Sequence, residues 1–128
     1  MITPLRYSSG RLVRLPMAAS STVVKQDLLG FTGGFVRRAT SLDTEVRFMA
    51  MEDRITGVGE NPEILCLYLD GVECEGITAG TVAQTHVGTY IDLTNHNTLN
   101  EAASIRRIFF VTERISARRV GGYFVIKS

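Results

Sequence analysis

Residues 25–41, KQDLLGFTGGFVRRATS, carry Gly30, Gly33 and Gly34 between two apolar runs and just ahead of Arg37 and Arg38. Glycines this dense suit either a phosphate-cradling loop or the tip of a hairpin, and the choice decides whether the chain reads as an enzyme. A phosphate loop needs G-x-x-x-x-G-K-[ST] between a strand and a helix, with the lysine reaching the phosphates. Here no lysine follows Gly34, and FVRRAT offers aromatic and β-branched residues where a helix should start. A dinucleotide fingerprint fails on the same missing helix N-terminus. A hairpin fits: TGG supplies positive φ at Gly33 or Gly34, Leu29 and Phe31 share a face, and Phe35 begins the return strand.

Outward from this hairpin, short β-like runs alternate with turn signals about every eight to twelve residues, the pattern of a sandwich or barrel. Strands are expected over residues 23–31, 35–39, 46–51, 64–69, 72–75, 89–93, 108–112 and 122–126, separated by TGG, TGVGENP, DG, TAG, TNHN and VGG. Thr98 to Glu101 (TLNE) fits a capping box ahead of AAS, so a short helical turn is expected there. A second is expected at SLDTEV with Ser41 as its cap. The expected fold is mostly β: a small antiparallel β-barrel or sandwich with one or two short helical turns.

The clearest local signal is EILCLYLDGVECEG. Asp70 and Gly71 form a dipeptide suited to a type I′ turn, which needs positive φ at both central residues. A two-residue loop pairs Leu69 with Val72, Tyr68 with Glu73 and Leu67 with Cys74. Leu65, Leu67, Leu69, Val72 and Cys74 then share one apolar face. Cys66 falls on the opposite face, so the two cysteines point apart and are expected as free thiols.

With 128 residues, 45% hydrophobic and 21% charged, the chain has the composition of a single globular domain. Net charge is +1, yet residues 1–40 carry six bases against one acid, residues 41–76 nine acids against two bases, and residues 77–128 six bases against three acids. Segregation of this kind sets orientation when copies or partners meet, unless folding mixes the charges again. No apolar run reaches the ~18 residues of a membrane span, and the prolines and arginines of the first 16 residues leave no signal-peptide core. Residues 1–21 read as an extended N-terminal arm and residues 22–128 as one β domain. Within the arm only RLVRL alternates, and Arg6, Arg11, Leu12, Val13, Arg14 and Leu15 are the candidate contacts with a partner or another copy.

Catalytic and metal constellations find little support. His86 and His96 lie in polar, turn-like settings without ligand partners at zinc spacing, and Cys66 with Cys74 fits no CxxC pattern. Ser104, His86 and Asp92 supply the letters of a nucleophilic triad but no nucleophile elbow. MEDRITGVGENPE is acidic and glycine-bearing yet lacks the D-x-D-x-D-G order of a calcium loop. The pairs Arg37 and Arg38, Arg106 and Arg107, and Arg118 and Arg119 split across strand faces rather than forming one patch. No cofactor, metal or catalytic role is expected, and an OB-like nucleic-acid module is a weaker alternative.

The order of elements, from VVKQDLLGFTGGFVRRATS through EVRFMAMED, LCLYLDGVECEGITAGT, VGTYIDL and IFFVTE to RRVGGYFV, resembles the decoration (cement) proteins of tailed-bacteriophage capsids with a β-tulip fold. The resemblance covers residues 23–126 and leaves out the arm; NHNTLNEAAS is longer and more polar than the corresponding hairpin. It implies a non-enzymatic virion protein on the capsid exterior, assembled in the host cytoplasm, bracing the shell by bridging major capsid protein subunits. It also implies self-association, as a homotrimer, with no membrane or direct nucleic-acid contact. Another small virion component, a head-completion or tail-tube subunit, is the structural alternative.

Overall fold

The computed structural model describes residues 2–4 and 11–127. Its strands are β1 (Ile2–Pro4), β2 (Arg11–Pro16), β3 (Thr22–Val23), β4 (Leu28–Thr32), β5 (Phe35–Arg38), β6 (Phe48–Ala50), β7 (Arg54–Ile55), β8 (Glu63–Tyr68), β9 (Glu73–Ile77), β10 (Tyr90–Asn95), β11 (Thr98–Asn100), β12 (Phe109–Ser116) and β13 (Arg119–Phe124). They form a six-stranded sheet in the order β1-β9-β13-β12-β10-β11, a five-stranded sheet in the order β2-β8-β6-β4-β5, and the ribbon β3-β7. The fold is mostly β, a small antiparallel assembly of barrel and sandwich character.

The five-stranded sheet is apolar on both faces. Leu28, Met49 and Leu67 point to one side and pack with the inner residues of the six-stranded sheet, among them Ile2, Ile91, Phe109, Val111, Val120 and Phe124. Leu29, Ala50, Cys66 and Ile64 point to the other side and pack with Met17, Val23 and Val36. The sheet curls around this smaller cluster until Met17, one residue past β2, bridges in parallel to Val36 of β5. The six-stranded sheet curls likewise, with Thr78 beyond β9 bridging in parallel to Leu99 of β11.

The opening stretch is a hairpin. Thr32 pairs with Phe35 across Gly33 and Gly34, and both glycines have positive φ, 57° and 87°. That is the type I′ requirement, whose twist matches the flanking strands. Gly30 has a different duty. A Cβ there would lie 2.8 Å from both carboxylate oxygens of Asp43 and would also clash with Arg37. Its hydrogen atom leaves room for Arg37 to reach across β4, where Nη1 and Nη2 donate to Asp43 at 2.9 and 3.0 Å.

Asp70 and Gly71 depart from the expected hairpin. Gly71 has φ 74°, whereas Asp70 is not among the positive-φ residues. The Val72 amide donates to the Leu69 carbonyl at 3.1 Å, so the reversal is of type II form, with positive φ at its third position only. Such a turn splays the strands that a type I′ turn would keep paired. Accordingly β8 pairs with β2 and β6, while β9 pairs with β1 and β13. The dipeptide passes the chain from one sheet to the other.

Nor do residues 1–21, where described, stand apart as an arm. Ile2 and Pro4 face the core and β1 pairs with residues 74–76 of β9. Strand β2 pairs over its whole length with β8. Proline lacks the ladder donor, but at a sheet edge that donor is not needed. Pro4 lies in β1 and Pro16 in β2, both of them edge strands.

The expected helical turns are also displaced. Residues 98–100 form β11, with Leu99 fully buried between half-buried Thr98 and Asn100. Glu101 accepts from the Gly80 amide across the sheet instead of closing a capping box. At Ser41 there is a turn but no helix; Asp43 accepts from the Thr40 amide at 2.7 Å. The one helical turn among the described residues is a 3-10 turn at Gln84–His86.

Both turn glycines have open space around the position of a Cβ, so substitution there strains the backbone alone. Gly33→Val is expected to lose about 1–2 kcal/mol, the cost of holding an L side chain in the left-handed region, with Gly33→Asn losing much less. Urea unfolding of the three proteins measures this; equal midpoints would refute the turn assignment.

Candidate interaction surfaces

Strand β2 is where the expected contact residues fall, and its alternation divides them. Val13 and Leu15 turn inward and pack on the smaller core cluster, so they serve the barrel interior rather than an outside partner. Leu12 lies on the opposite face and is 56% exposed. Arg14, beside it, keeps 57% of its side chain exposed and reaches Glu52 at 3.8 Å. Arg11 stands at the mouth of the curl, its guanidinium carbon 5.3 Å from the Tyr68 ring centroid. Tyr68 continues into Phe48 at 5.2 Å and Phe48 into Phe31 at 5.9 Å. Arg6 lies outside the described residues. The strand ends the five-stranded sheet, and its side away from β8 is outside the ladder until the curl closes just past its C-terminal end, where the Ala18 amide donates to the Val36 carbonyl of β5 at 2.9 Å.

The charge blocks of the sequence interlock. Arg37 binds Asp43, Arg14 approaches Glu52, and Arg119 Nη1 binds Glu75 at 2.7 Å, each pair joining two different blocks. The adjacent arginines split, as strand alternation requires: Arg37 turns to Asp43 and Arg38 to Asp27 at 2.7 Å. The acidic loop is used for structure. Glu52 accepts from the Leu65 amide at 2.9 Å and Asp53 from the Lys25 amide at 2.7 Å.

The triad letters do not converge. Both carboxylate oxygens of buried Asp92 take backbone donors, from Ile105 at 3.0 Å and from Arg106 and Arg107 at 2.9 Å. His86 Nδ1 faces the Ala83 amide at 3.0 Å within the 3-10 turn, while His96 sits in the loop between β10 and β11, 3.8 Å from Asp27. Among the described residues no three His, Cys, Asp or Glu side chains gather as a metal set, and no helix is long and apolar enough to cross a membrane.

Cys66 and Cys74 are free, buried and in different core clusters. Burial, reinforced by nearby Glu52 and Glu73 respectively, pushes both thiols up to about 12.

A second surface lies on the outer face of the six-stranded sheet, and sequence reading does not find it because its members come from separate strands. Tyr90 pairs with Phe110, Phe110 with Tyr123, and Tyr123 with Glu73. Residues next to them, Ile91, Phe109, Phe124 and Cys74, point into the core. The alternation therefore places an aromatic row outside.

No protein-family model, curated protein or solved structure matches the chain.

Two outcomes follow from these environments. Native protein should react with a thiol reagent at pH 8 far more slowly than unfolded protein, at both cysteines; rapid labelling of either in the native state would contradict its burial. For Asp43, burial raises the carboxyl, but Arg37 and Thr40 hydrogen bonds with the Arg37 charge outweigh it and hold the group below its ordinary value. A depressed carboxyl stabilises the fold above the unfolded value near ~3.9, and the contribution is lost as pH falls through the folded value. Asp43→Asn should thus lose about 1–2 kcal/mol at pH 7. The gap to wild type should narrow as pH falls below about 4, and a gap that stays constant in urea titrations would refute the assignment.

Proposed function

We propose that this chain is a non-enzymatic structural protein of a phage virion, binding the outside of the capsid and stabilising the shell by bridging major capsid protein subunits. One observation carries the reading: β2 is an edge strand on which Leu12 and Arg14 are exposed side by side on one face, with exposed Arg11 at the start of the strand on the other. An open strand edge binds an extended segment through main-chain hydrogen bonds, and the exposed leucine adds an apolar anchor. The arginines favour an acidic or carbonyl-rich surface and speed its encounter. Two curled sheets with buried faces supply the rigid block that bracing needs. The element order from residue 23 to residue 126 directs the choice toward a capsid partner.

Because β1 and β2 belong to the sheets, deleting the N-terminus would test folding more than binding. Surface substitutions separate the two. The double variant Arg11→Glu, Leu12→Glu should keep the wild-type circular dichroism spectrum yet bind purified undecorated shells at least roughly tenfold more weakly, the equivalent of about 1.4 kcal/mol. Unchanged occupancy on the shells would overturn the reading.

A further inference from the structure

We propose that β1 is an exchangeable donor strand: the edge of β9 that it fills is a strand-acceptor site, and in concentrated protein that site takes β1 from a second copy of this chain. The edge of β9 away from β13 is completed in two lengths. Just past β9, Thr78 bridges to Leu99 of β11, and the Ala79 amide donates to the Leu99 carbonyl at 3.0 Å. Residues 74–76 are covered by β1, through the pairs Ile2 with Gly76, Thr3 with Glu75 and Pro4 with Cys74. On their other side the same three residues pair with residues 120–122 of β13. The acceptor is therefore built by strands other than β1.

The site has one selective feature, a hole over Gly76. A Cβ at Gly76 would lie 2.6 Å from Ile2 Cδ1 and 2.9 Å from Leu99 Cδ1. Its absence lets Ile2 enter and become fully buried. The hole selects a strand with a branched aliphatic side chain at this register, and Pro4, two positions on, also faces inward. Residues 2–4 meet these demands, and every copy carries them. Each contact made within a chain is available unchanged between chains, which makes exchange of an identical element an easy route to association. Main-chain pairing supplies the attraction and the hole fixes the register. β1 is also suited to leaving. It is hydrogen-bonded to one neighbouring strand over three residue pairs, and short edge segments of this kind open at lower free energy than the body of a fold. β2, by contrast, pairs with β8 over six residues and stays in place. The link forms between copies in solution and does not rest on the capsid reading.

Disulfide trapping in the full chain tests the exchange. Residues opposite one another in an antiparallel ladder lie within disulfide reach, and Cys66 and Cys74 are buried and do not compete. The double variant Thr3→Cys, Glu75→Cys, oxidised when dilute, should close within one chain. Thr3→Cys protein mixed with Glu75→Cys protein at high concentration and then oxidised should give a crosslink between residue 3 of one copy and residue 75 of the other, located by peptide mapping. Adding Ile2→Ala to the Thr3→Cys partner should cut the yield of that crosslink at least roughly tenfold, because the weakened strand then competes with the intact β1 of the acceptor copy. A mixture without the crosslink, while the double variant closes on itself, would show that β1 stays with its own chain and overturn the proposal. So would a double variant that fails to close, or a yield indifferent to Ile2→Ala, which would mark the crosslink as collisional.

Discussion

Leu28 and Leu29 are neighbours in β4, both fully buried, and they point to opposite sides of one sheet. A strand can bury both faces only if something covers each, and the remaining architecture follows from that demand. The six-stranded sheet covers one side. On the other the five-stranded sheet covers itself, curling until Met17 meets Val36, with the β3-β7 ribbon contributing Val23 to the enclosed cluster. The same demand recurs along β6 and β8, where Met49 and Leu67 serve one core and Ala50 and Cys66 the other. It also explains why two cysteines eight positions apart never meet.

Buried or half-buried carboxylates fix the irregular parts of the chain. Asp27 accepts from the Val24 amide and from Arg38, Asp43 from Arg37 and the Thr40 amide, and Asp92 from three consecutive amides. Asp27 stands just ahead of β4, Asp43 in the turn after β5, and Asp92 inside β10, and each accepts from amides of irregular backbone that the ladder does not pair. Side chains that look in sequence like catalytic or calcium-binding acids are thereby committed to loop geometry.

Much of the β pattern was legible because period-2 alternation and turn glycines are local signals. The hairpin at Gly33 and Gly34, the strands around 64–69, 108–112 and 122–126, and the opposed faces of the cysteines all follow from near neighbours. What escaped depends on partners distant in sequence. Strands β1 and β2 looked like an arm because proline and arginine read as breakers until an edge position is known. Thr98 to Glu101 satisfied a capping box on letters alone, whereas burial of Leu99 between two sheets decides for a strand. The turn at Asp70 and Gly71 was found, but its type, and hence whether its flanking strands pair, rests on the φ of one residue. Within the candidate contact strand, the inward turn of Val13 and Leu15 needed the register with β8. The outer row of Tyr90, Phe110 and Tyr123 is invisible in sequence, since its members lie far apart and only strand order aligns them.

The placement of β1 and β2 has a consequence for synthesis. They leave the ribosome well before their partners, residues 74–76 and 63–68. Neither sheet can complete the edge that β1 or β2 forms until those residues have been made, and closing such long loops carries an entropic cost that local hairpins avoid. The hairpin around Gly33 and Gly34 has no such delay. This topology therefore lets the local hairpin pair early, while β1 and β2 wait for strands made later.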